Sequence, residues 1–239
     1  MRICVLIPVA GVIALGVAGC RAGSAAEASF LVSQRGQQVG TASYRVTAAA
    51  HGYASTSVVN VQMQGLDYAL SKTEELTAAN EIRHVLLSAT VNGEAVNVTA
   101  APDAAQLLMN ISANGRSSTT RLDAHRSAVF LADFDPGALE TLLTLAVTHN
   151  NAGLWAVIPK QAGSVAAVTL ATYADEKGTL DGKPVAVHHL VATIAGARTE
   201  LFSGPENQLL QAELPQAGFA LVRKGFVLTP PAKPIAPGE

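Results

Sequence analysis

Tight-turn signals recur along this sequence and divide most of it into short segments, and this rhythm constrains the fold more than any other feature. Asn-Gly and Asp-Gly supply the positive φ angles that two-residue hairpin turns require. The signals are Arg35-Gly36, His51-Gly52, Asn92-Gly93, Asn114-Gly115, Lys177-Gly178, Asp181-Gly182 and Ser203-Gly204. The segments between them are rich in β-branched residues, so the sequence predicts a mainly β fold of antiparallel strands.

Hydrophobic alternation predicts how several of these strands are buried. In TASYRVTA, alternate residues from Ala42 to Ala48 are apolar and face one way, which is typical of a half-buried strand. RSSTTRLD (116–123) is polar on both faces and predicts an exposed or edge strand. SVAAVTLATY (164–173) and VAVHHLVATI (185–194) are apolar on both faces, so the sheet needs cover on both sides there, or a cavity on one.

One segment, DPGALETLLTLAVTHNN, departs from the β pattern. Asp135 stands where a helix N-cap is expected, and Pro136 takes the first helical position. Apolar residues then recur at helical spacing, and Asn150 or Asn151 can adopt the left-handed conformation that ends a helix. The pattern predicts a single mid-chain helix over residues 136–148.

The chain begins with a pattern typical of a secretory signal. Arg2 is followed by an uncharged, mainly apolar run to Gly19. Val17-Ala18-Gly19-Cys20 resembles the lipobox of bacterial lipoproteins. In that family the cysteine becomes the first residue of the mature chain and carries a diacylglyceryl group, which implies lipidation of Cys20 and a membrane anchor. An uncleaved anchor, or an ordinary signal with an incidental cysteine, is the alternative.

The resemblance to lipoproteins also suggests a location and a division of the chain. An aspartate after the lipidated cysteine often marks inner-membrane retention, so Arg21 implies a periplasm-facing position at the outer membrane. We expect a signal peptide over 1–19, a tether over 20–28, a single β domain over 29–228 and a disordered Pro-rich tail over 229–239. The two cysteines, Cys4 and Cys20, then supply neither a disulfide nor a thiol site in the mature chain.

Sequence signatures of catalysis are absent, so we expect a protein that is not an enzyme and uses no cofactor or metal. The chain has no Gly-x-Ser-x-Gly elbow, no His-Glu-x-x-His, no phosphate loop and no Gly-x-Gly-x-x-Gly. His188 and His189 are adjacent on a predicted strand, which predicts one packed and one solvent-facing ring. A formal net charge of −2 with scattered basic residues argues against a nucleic-acid partner.

Two pairs of acidic residues have simple interpretations. Asp133 and Asp135 stand on one side of an extended segment, where they can bind a cation or act as acid and base. Asp135 is better explained as the helix cap. Glu74 and Glu75 are interpreted as the solvated end of a strand.

The apolar residues around the predicted helix form the candidate ligand-binding site. They are Phe134, Leu139, Leu142, Leu143 and Trp155. One interpretation is core packing of the helix on a sheet. The other is that the helix lines or covers a hydrophobic groove, because ligand clefts are mostly apolar with few polar groups.

The combination of a lipidated cysteine, long antiparallel strands and one helix resembles the half-barrel envelope proteins, which include lipoprotein carriers and their outer-membrane receptor. The segments Gly36 to Thr41 and Asp181 to Val185 also resemble G-x-x-V-G-T and D-G-x-x-V turns of uncharacterised periplasmic proteins. The resemblance implies a curved half-barrel or open barrel that binds an apolar ligand, an acyl chain or a lipoprotein. The alternative is a non-catalytic structural or assembly module that binds another envelope protein.

The lipobox resemblance generates a direct prediction. Cys20→Ala should abolish labelling by a palmitate analogue and release the protein from membranes, because the thiol is the site of acyl attachment. Cys4→Ala is the matched control and should label like the wild type, since Cys4 leaves with the signal. A Cys20→Ala protein that still labels and still fractionates with membranes would contradict the lipoprotein interpretation.

Overall fold

The computed structural model describes residues 26–160 and 162–230, which form one helix and a long series of strands. The helix is α1 (Pro136–Thr148). The strands in chain order are β1 (Ala26–Gln34), β2 (Gln37–Ala49), β3 (Gly52–Met63), β4 (Leu66–Leu76), β5 (Ile82–Val91), β6 (Glu94–Asp103), β7 (Gln106–Ala113), β8 (Arg116–Asp123), β9 (Ala128–Phe130), β10 (Leu154–Ile158), β11 (Ser164–Thr172), β12 (Glu176–Leu180), β13 (Lys183–Ile194), β14 (Ala197–Ser203), β15 (Leu209–Leu214), β16 (Phe219–Arg223) and β17 (Phe226–Leu228).

All 17 strands belong to one curved sheet that does not close. Strands β1 to β8 form an antiparallel meander, and β1 also pairs with β16, which continues through β15 and β14 to β13. The two ends of β13 then pair with different strands, residues 183–187 with β12 and residues 190–194 with β11. The prediction of a mainly β fold with a long-stranded, curved antiparallel sheet and one helix is confirmed.

One pair of strands, β9 and β10, is parallel, which the sequence analysis did not predict. Helix α1 lies between them in the chain and provides the crossover that parallel neighbours require. β9 is the last strand at this end of the sheet order, and β8 is the last at the other. Across the residues that the structure describes, no strand ladder joins β8 to β9, so the sheet stays open.

Helix α1 begins and ends as predicted. The Asp135 carboxylate accepts hydrogen bonds from the backbone N–H groups of Gly137 (3.0 Å) and Ala138 (3.1 Å). Asn150 (φ 51°) and Asn151 (φ 60°) both adopt the left-handed conformation after the last turn. Within the described ranges, no helix is both long enough and apolar enough to cross a membrane.

The helix lies inside the curve of the sheet. It contacts β2 and β3 on one side and β9, β10 and β15 on the other, strands that are far apart in the sheet order. Leu142 and Leu145 are fully buried in the core that these strands share with the helix. The leucines therefore fill the interior of the curved sheet, and the N-terminal end of α1 is held deep within the molecule.

The first strand starts earlier than the sequence analysis predicted. β1 begins at Ala26, so the assignment of residues 26–28 to the tether is wrong. The tertiary reason is that Ala28 is buried opposite Tyr44 of β2, and Glu27 forms a 2.7 Å ion pair with Arg45. The predicted signal peptide, Cys20 and nearly all of the predicted tail lie outside the described residues.

Burial of the helix predicts how it responds to truncation. Leu142→Ala should lower the free energy of unfolding by about 2–5 kcal/mol, because it removes fully buried atoms and leaves a cavity. Val147→Ala is the control on the same helix, and it should change stability by less than about 0.5 kcal/mol, since Val147 is 62% exposed. Urea unfolding of both variants measures this. Equal effects of the two substitutions would contradict the placement of α1.

Candidate functional site

An apolar cavity of about 530 Å³ lies beside the N-terminal end of α1. Its walls come from residues 131–135, the β10–β11 turn, the β13–β14 turn and strands β14 to β16. The larger apolar side chains that line it are Leu131, Phe134, Leu139, Ile158, Ile194, Leu214 and Leu221. Its volume is within the range of about 300–1,000 Å³ that is usual for sites that bind small molecules.

The segment before the helix takes an unusual turn at Phe134. Its φ of +55° is uncommon for a bulky residue and forms part of a turn between β9 and α1. The ring packs edge-on against Phe219 at 4.8 Å and Tyr68 at 6.0 Å between centroids. This turn places an aromatic side chain at the cavity and leaves Asp135 free to cap the helix.

A second apolar cavity, of about 210 Å³, lies against the inner faces of β4, β5 and β6. Leu70, Leu87 and Val98 provide part of its lining. Residues 131–133 and Lys160 line both cavities. The two apolar spaces therefore share one wall, made from the chain before α1 and the β10–β11 turn.

An ion pair stands in this common wall. Lys160 Nζ lies 2.9 Å from Asp133 Oδ1, and the two side chains are 64% and 48% exposed. Exposed pairs of this kind contribute about 0–1 kcal/mol, because water screens the attraction and two flexible side chains must be ordered. The ion pair between the β10–β11 turn and residues 131–135 is therefore weak, and another charged group can replace either partner at low cost.

A second lysine, Lys72 on β4, is fully buried, in contrast to the exposed Lys160. Its Nζ is 2.6 Å from Asp135 Oδ2 and 3.0 Å from Glu74 Oε2, and it donates a hydrogen bond to the carbonyl of Phe130 (3.3 Å). All three charged side chains are buried. The lysine thus joins β4 to the end of β9 and to the cap of α1, and it holds both ends of the segment that lines the cavities.

Burial and ion pairing shift the pKa values of Lys72 and Glu74 in opposite directions. Burial lowers the pKa of Lys72, but the carboxylates of Asp135 and Glu74 outweigh it, so the pKa lies above its ordinary value and the ammonium stays protonated. Burial raises the pKa of Glu74 by more than Lys72 lowers it. The buried site therefore favours the protonated form of Glu74.

The N-terminal end of α1 approaches β3 closely because residue 137 is a glycine. A Cβ on Gly137 would lie 2.5 Å from Ser57 Oγ. Ser57 is paired in register with Lys72, and Ser55 with Glu74, so small hydroxyl side chains stand beside the charged pair on the inner face. Both serines are buried, and their small side chains leave room for the helix terminus.

The structure brings together two of the five predicted ligand-binding residues. Phe134 and Leu139 line the 530 Å³ cavity. Leu142 is fully buried in the core, and Leu143 lines a separate cavity near the C-terminal end of α1. Trp155 lies on β10, where its ring stacks on His125 at 3.7 Å between centroids.

Lys72 and Glu74 are the residues that the sequence analysis missed, and the interpretation of Glu74 as part of a solvated strand end was wrong. Glu74 is buried, whereas Glu75 is exposed. The signal was present in the alternation of β4, which places both charges on the same face as Tyr68 and Leu70. The alternation could not identify the buried partner of Lys72, because Asp135 comes from a distant part of the chain.

The structure also tests the predictions for the aspartates before α1 and for the adjacent histidines of β13. Asp133 and Asp135 do not form one carboxylate site, since Asp133 pairs with Lys160 at the surface and Asp135 with Lys72 in the interior. The prediction for the adjacent histidines is confirmed. The His189 side chain is 14% exposed between Glu176 and Glu200, and that of His188 is 43% exposed beside Asp175.

Comparison with known proteins finds no relatives. No protein-family model matches the chain, and no curated protein or solved structure is significantly similar to it. Functional inference therefore depends on the chain's own residues and geometry.

The raised pKa of Glu74 predicts that the free energy of unfolding depends on pH. Glu74→Gln should remove this contribution. The folded state binds this proton more tightly than the unfolded chain does. The resulting stabilisation is complete below the ordinary glutamate pKa of 4.5 and is lost as pH rises toward the folded pKa. The variant should therefore gain stability relative to the wild type as pH rises from 4.5, measured by urea unfolding across pH.

Lys72→Met is the companion variant and should behave differently. It leaves Asp135 and Glu74 buried without their counter-charge, which costs about 3–5 kcal/mol of unfolding free energy. A Glu74→Gln protein whose stability relative to the wild type does not change with pH, or a Lys72→Met protein of wild-type stability, would contradict the structure of this cluster.

Proposed function

We propose that this protein is an outer-membrane-anchored, periplasm-facing lipoprotein that binds an apolar ligand, an acyl chain, in the cavity beside the N-terminal end of α1. The observation that carries the proposal is the 530 Å³ apolar cavity between residues 131–135 and strands β14 to β16. Phe134 and Leu139 line it, as part of the apolar site predicted around the helix.

The chemistry of the lining supports a hydrocarbon ligand. Transfer of an acyl chain from water into apolar surroundings contributes about 0.8 kcal/mol for each methylene group buried. The second cavity, across the common wall, offers further apolar surface for a chain that extends past Leu131. Such a site needs shape and apolar area more than it needs precisely oriented polar groups.

The titratable groups support a role in binding rather than catalysis. Lys72, Glu74 and Asp135 are the residues that most resemble a catalytic set, but they are buried and bonded to one another. Lys72 stays protonated, which is unsuited to a general base. Their position explains instead how the wall of the cavity is held in place.

The lipid anchor is supported by the lipobox resemblance, and it would lie close to the folded domain. β1 begins at Ala26, shortly after Cys20. Since an extended chain spans at most about 3.3–3.6 Å per residue, the anchor would hold the domain within about 20 Å of the membrane. A site so placed can exchange an acyl chain with the membrane or with another lipoprotein.

An assembly module that binds another envelope protein is the second candidate, and β8 supports it. Within the described residues β8 pairs only with β7, and apart from Leu122 its side chains are polar and mostly exposed. An open edge of this kind can accept an added strand from a partner. This function would use the edge of the sheet and would leave the cavity without a role.

Filling the cavity tests the first proposal. Ser164→Trp combined with Ala197→Trp places bulk at two exposed positions on the cavity lining, and it should weaken binding of a fluorescent fatty acid by at least about tenfold, or about 1.4 kcal/mol. The matched control combines Ala48→Trp with Ser117→Trp, at exposed strand positions outside the lining of both cavities, and should bind like the wild type.

Native mass spectrometry of the protein with Cys20→Ala, purified from bacterial cells, provides an independent measurement and should detect bound lipid. If this protein neither binds the fluorescent fatty acid nor retains lipid, the acyl-chain proposal is wrong and the assembly module becomes the leading candidate.

A further inference from the structure

Lys160 occupies a distinctive position at the candidate site. Among the described residues that line the two apolar cavities, it is the only lysine or arginine. It lies in the common wall, so its ammonium can be reached from either apolar space. A purely hydrocarbon ligand has no use for a cation there, whereas a ligand with an anionic end does.

The partner of Lys160 can be exchanged at low cost. Asp133 is about half exposed, so its carboxylate stays hydrated after separation from the lysine. Asp135, the other carboxylate at the cavity, does not compete, because it bonds Lys72 and the first N–H groups of α1. An incoming anion therefore replaces one weak contact and leaves the buried cluster intact.

The two lysines of the region thus have different roles that follow from burial. Lys72 is held by two buried carboxylates and a carbonyl and is closed to any ligand. Lys160 has one exposed partner, 2.9 Å away, and its side chain is 64% exposed. A ligand head group bound to Lys160 would lie at the boundary between water and the apolar lining, where charge-assisted hydrogen bonds are stronger than in bulk water.

From this geometry we infer that the ligand is a single-chain amphiphile with an anionic head group, a carboxylate or a phosphate, which Lys160 binds in place of Asp133. The inference rests on the proposed function and specifies the chemical class of its ligand. The chain enters the 530 Å³ cavity past Phe134 and Leu139, and the head group stays at the common wall. A single chain is specified because a cavity of this volume is typical of sites for small ligands.

Binding by matched amphiphiles tests this inference. The protein is the full chain with Cys20→Ala, so that its own expected acyl chains cannot occupy the cavity. Dodecanoate, dodecyl phosphate and dodecanol compete against a neutral polarity-sensitive dye. Both anions should bind up to about fivefold more tightly than dodecanol, which is the upper limit for one exposed lysine–anion contact. Their relative affinities distinguish a carboxylate from a phosphate head group.

Two substitutions at the ion pair should act in opposite directions. Lys160→Met should remove the preference for the anions and leave dodecanol binding unchanged. Asp133→Asn should tighten binding of the anions several-fold, because it removes the competing carboxylate. The matched controls are Lys183→Met and Asp103→Asn, exposed residues outside the lining of both cavities, which should leave all affinities unchanged.

The possible failures can be told apart. If dodecanoate, dodecyl phosphate and dodecanol bind equally, or if Lys160→Met weakens all three alike, the head-group inference is wrong while acyl-chain binding stands. If none of the three displaces the dye and none binds directly by calorimetry, the proposed function itself is wrong. Retention of the anion preference in Lys160→Met would show that another group recognises the head.

Discussion

The buried ammonium of Lys72 is the interaction on which the rest of the structure depends. A charge removed from water costs several kcal/mol unless it is paired and hydrogen-bonded. Lys72 meets this requirement with Asp135, Glu74 and the carbonyl of Phe130, which come from three separate elements of the fold. The cost of separating these partners keeps β4, the end of β9 and the start of α1 together inside the curved sheet.

The apolar site follows from the positions that this cluster fixes. The chain between Phe130 and Asp135 is held at both ends by Lys72, and it turns at residues 133–134. Phe134 takes a left-handed conformation there, and its ring packs on Tyr68 and Phe219. Apolar space is left on both sides of this segment, and these spaces are the two cavities.

The site combines a rigid interior with a wall that can rearrange. Interaction between charges is strong at Lys72, where water is excluded, and weak at Lys160, where water surrounds much of the pair. The same chemical pair, a lysine and an aspartate, therefore serves as a permanent structural link in one place and as an exchangeable contact in the other. Binding an amphiphile would use both properties, since the chain needs a formed cavity and the head group needs an accessible partner.

The sequence by itself determined the features that depend on neighbouring residues. These include most of the hairpin turns, the bounds of α1 with its Asp135 cap, and β8 as an edge strand, because capping, turn geometry and alternation act over a few positions. The predicted turn at Lys177-Gly178 was wrong, because both residues lie within β12 and pair with β13. Only the tertiary structure decided that β1 starts at Ala26, that Lys72 and Glu74 are buried and that Phe134 and Leu139 share a cavity without Leu142. Each of these depends on a partner distant in the chain, and the register and curvature of a 17-stranded sheet decide which distant residues meet.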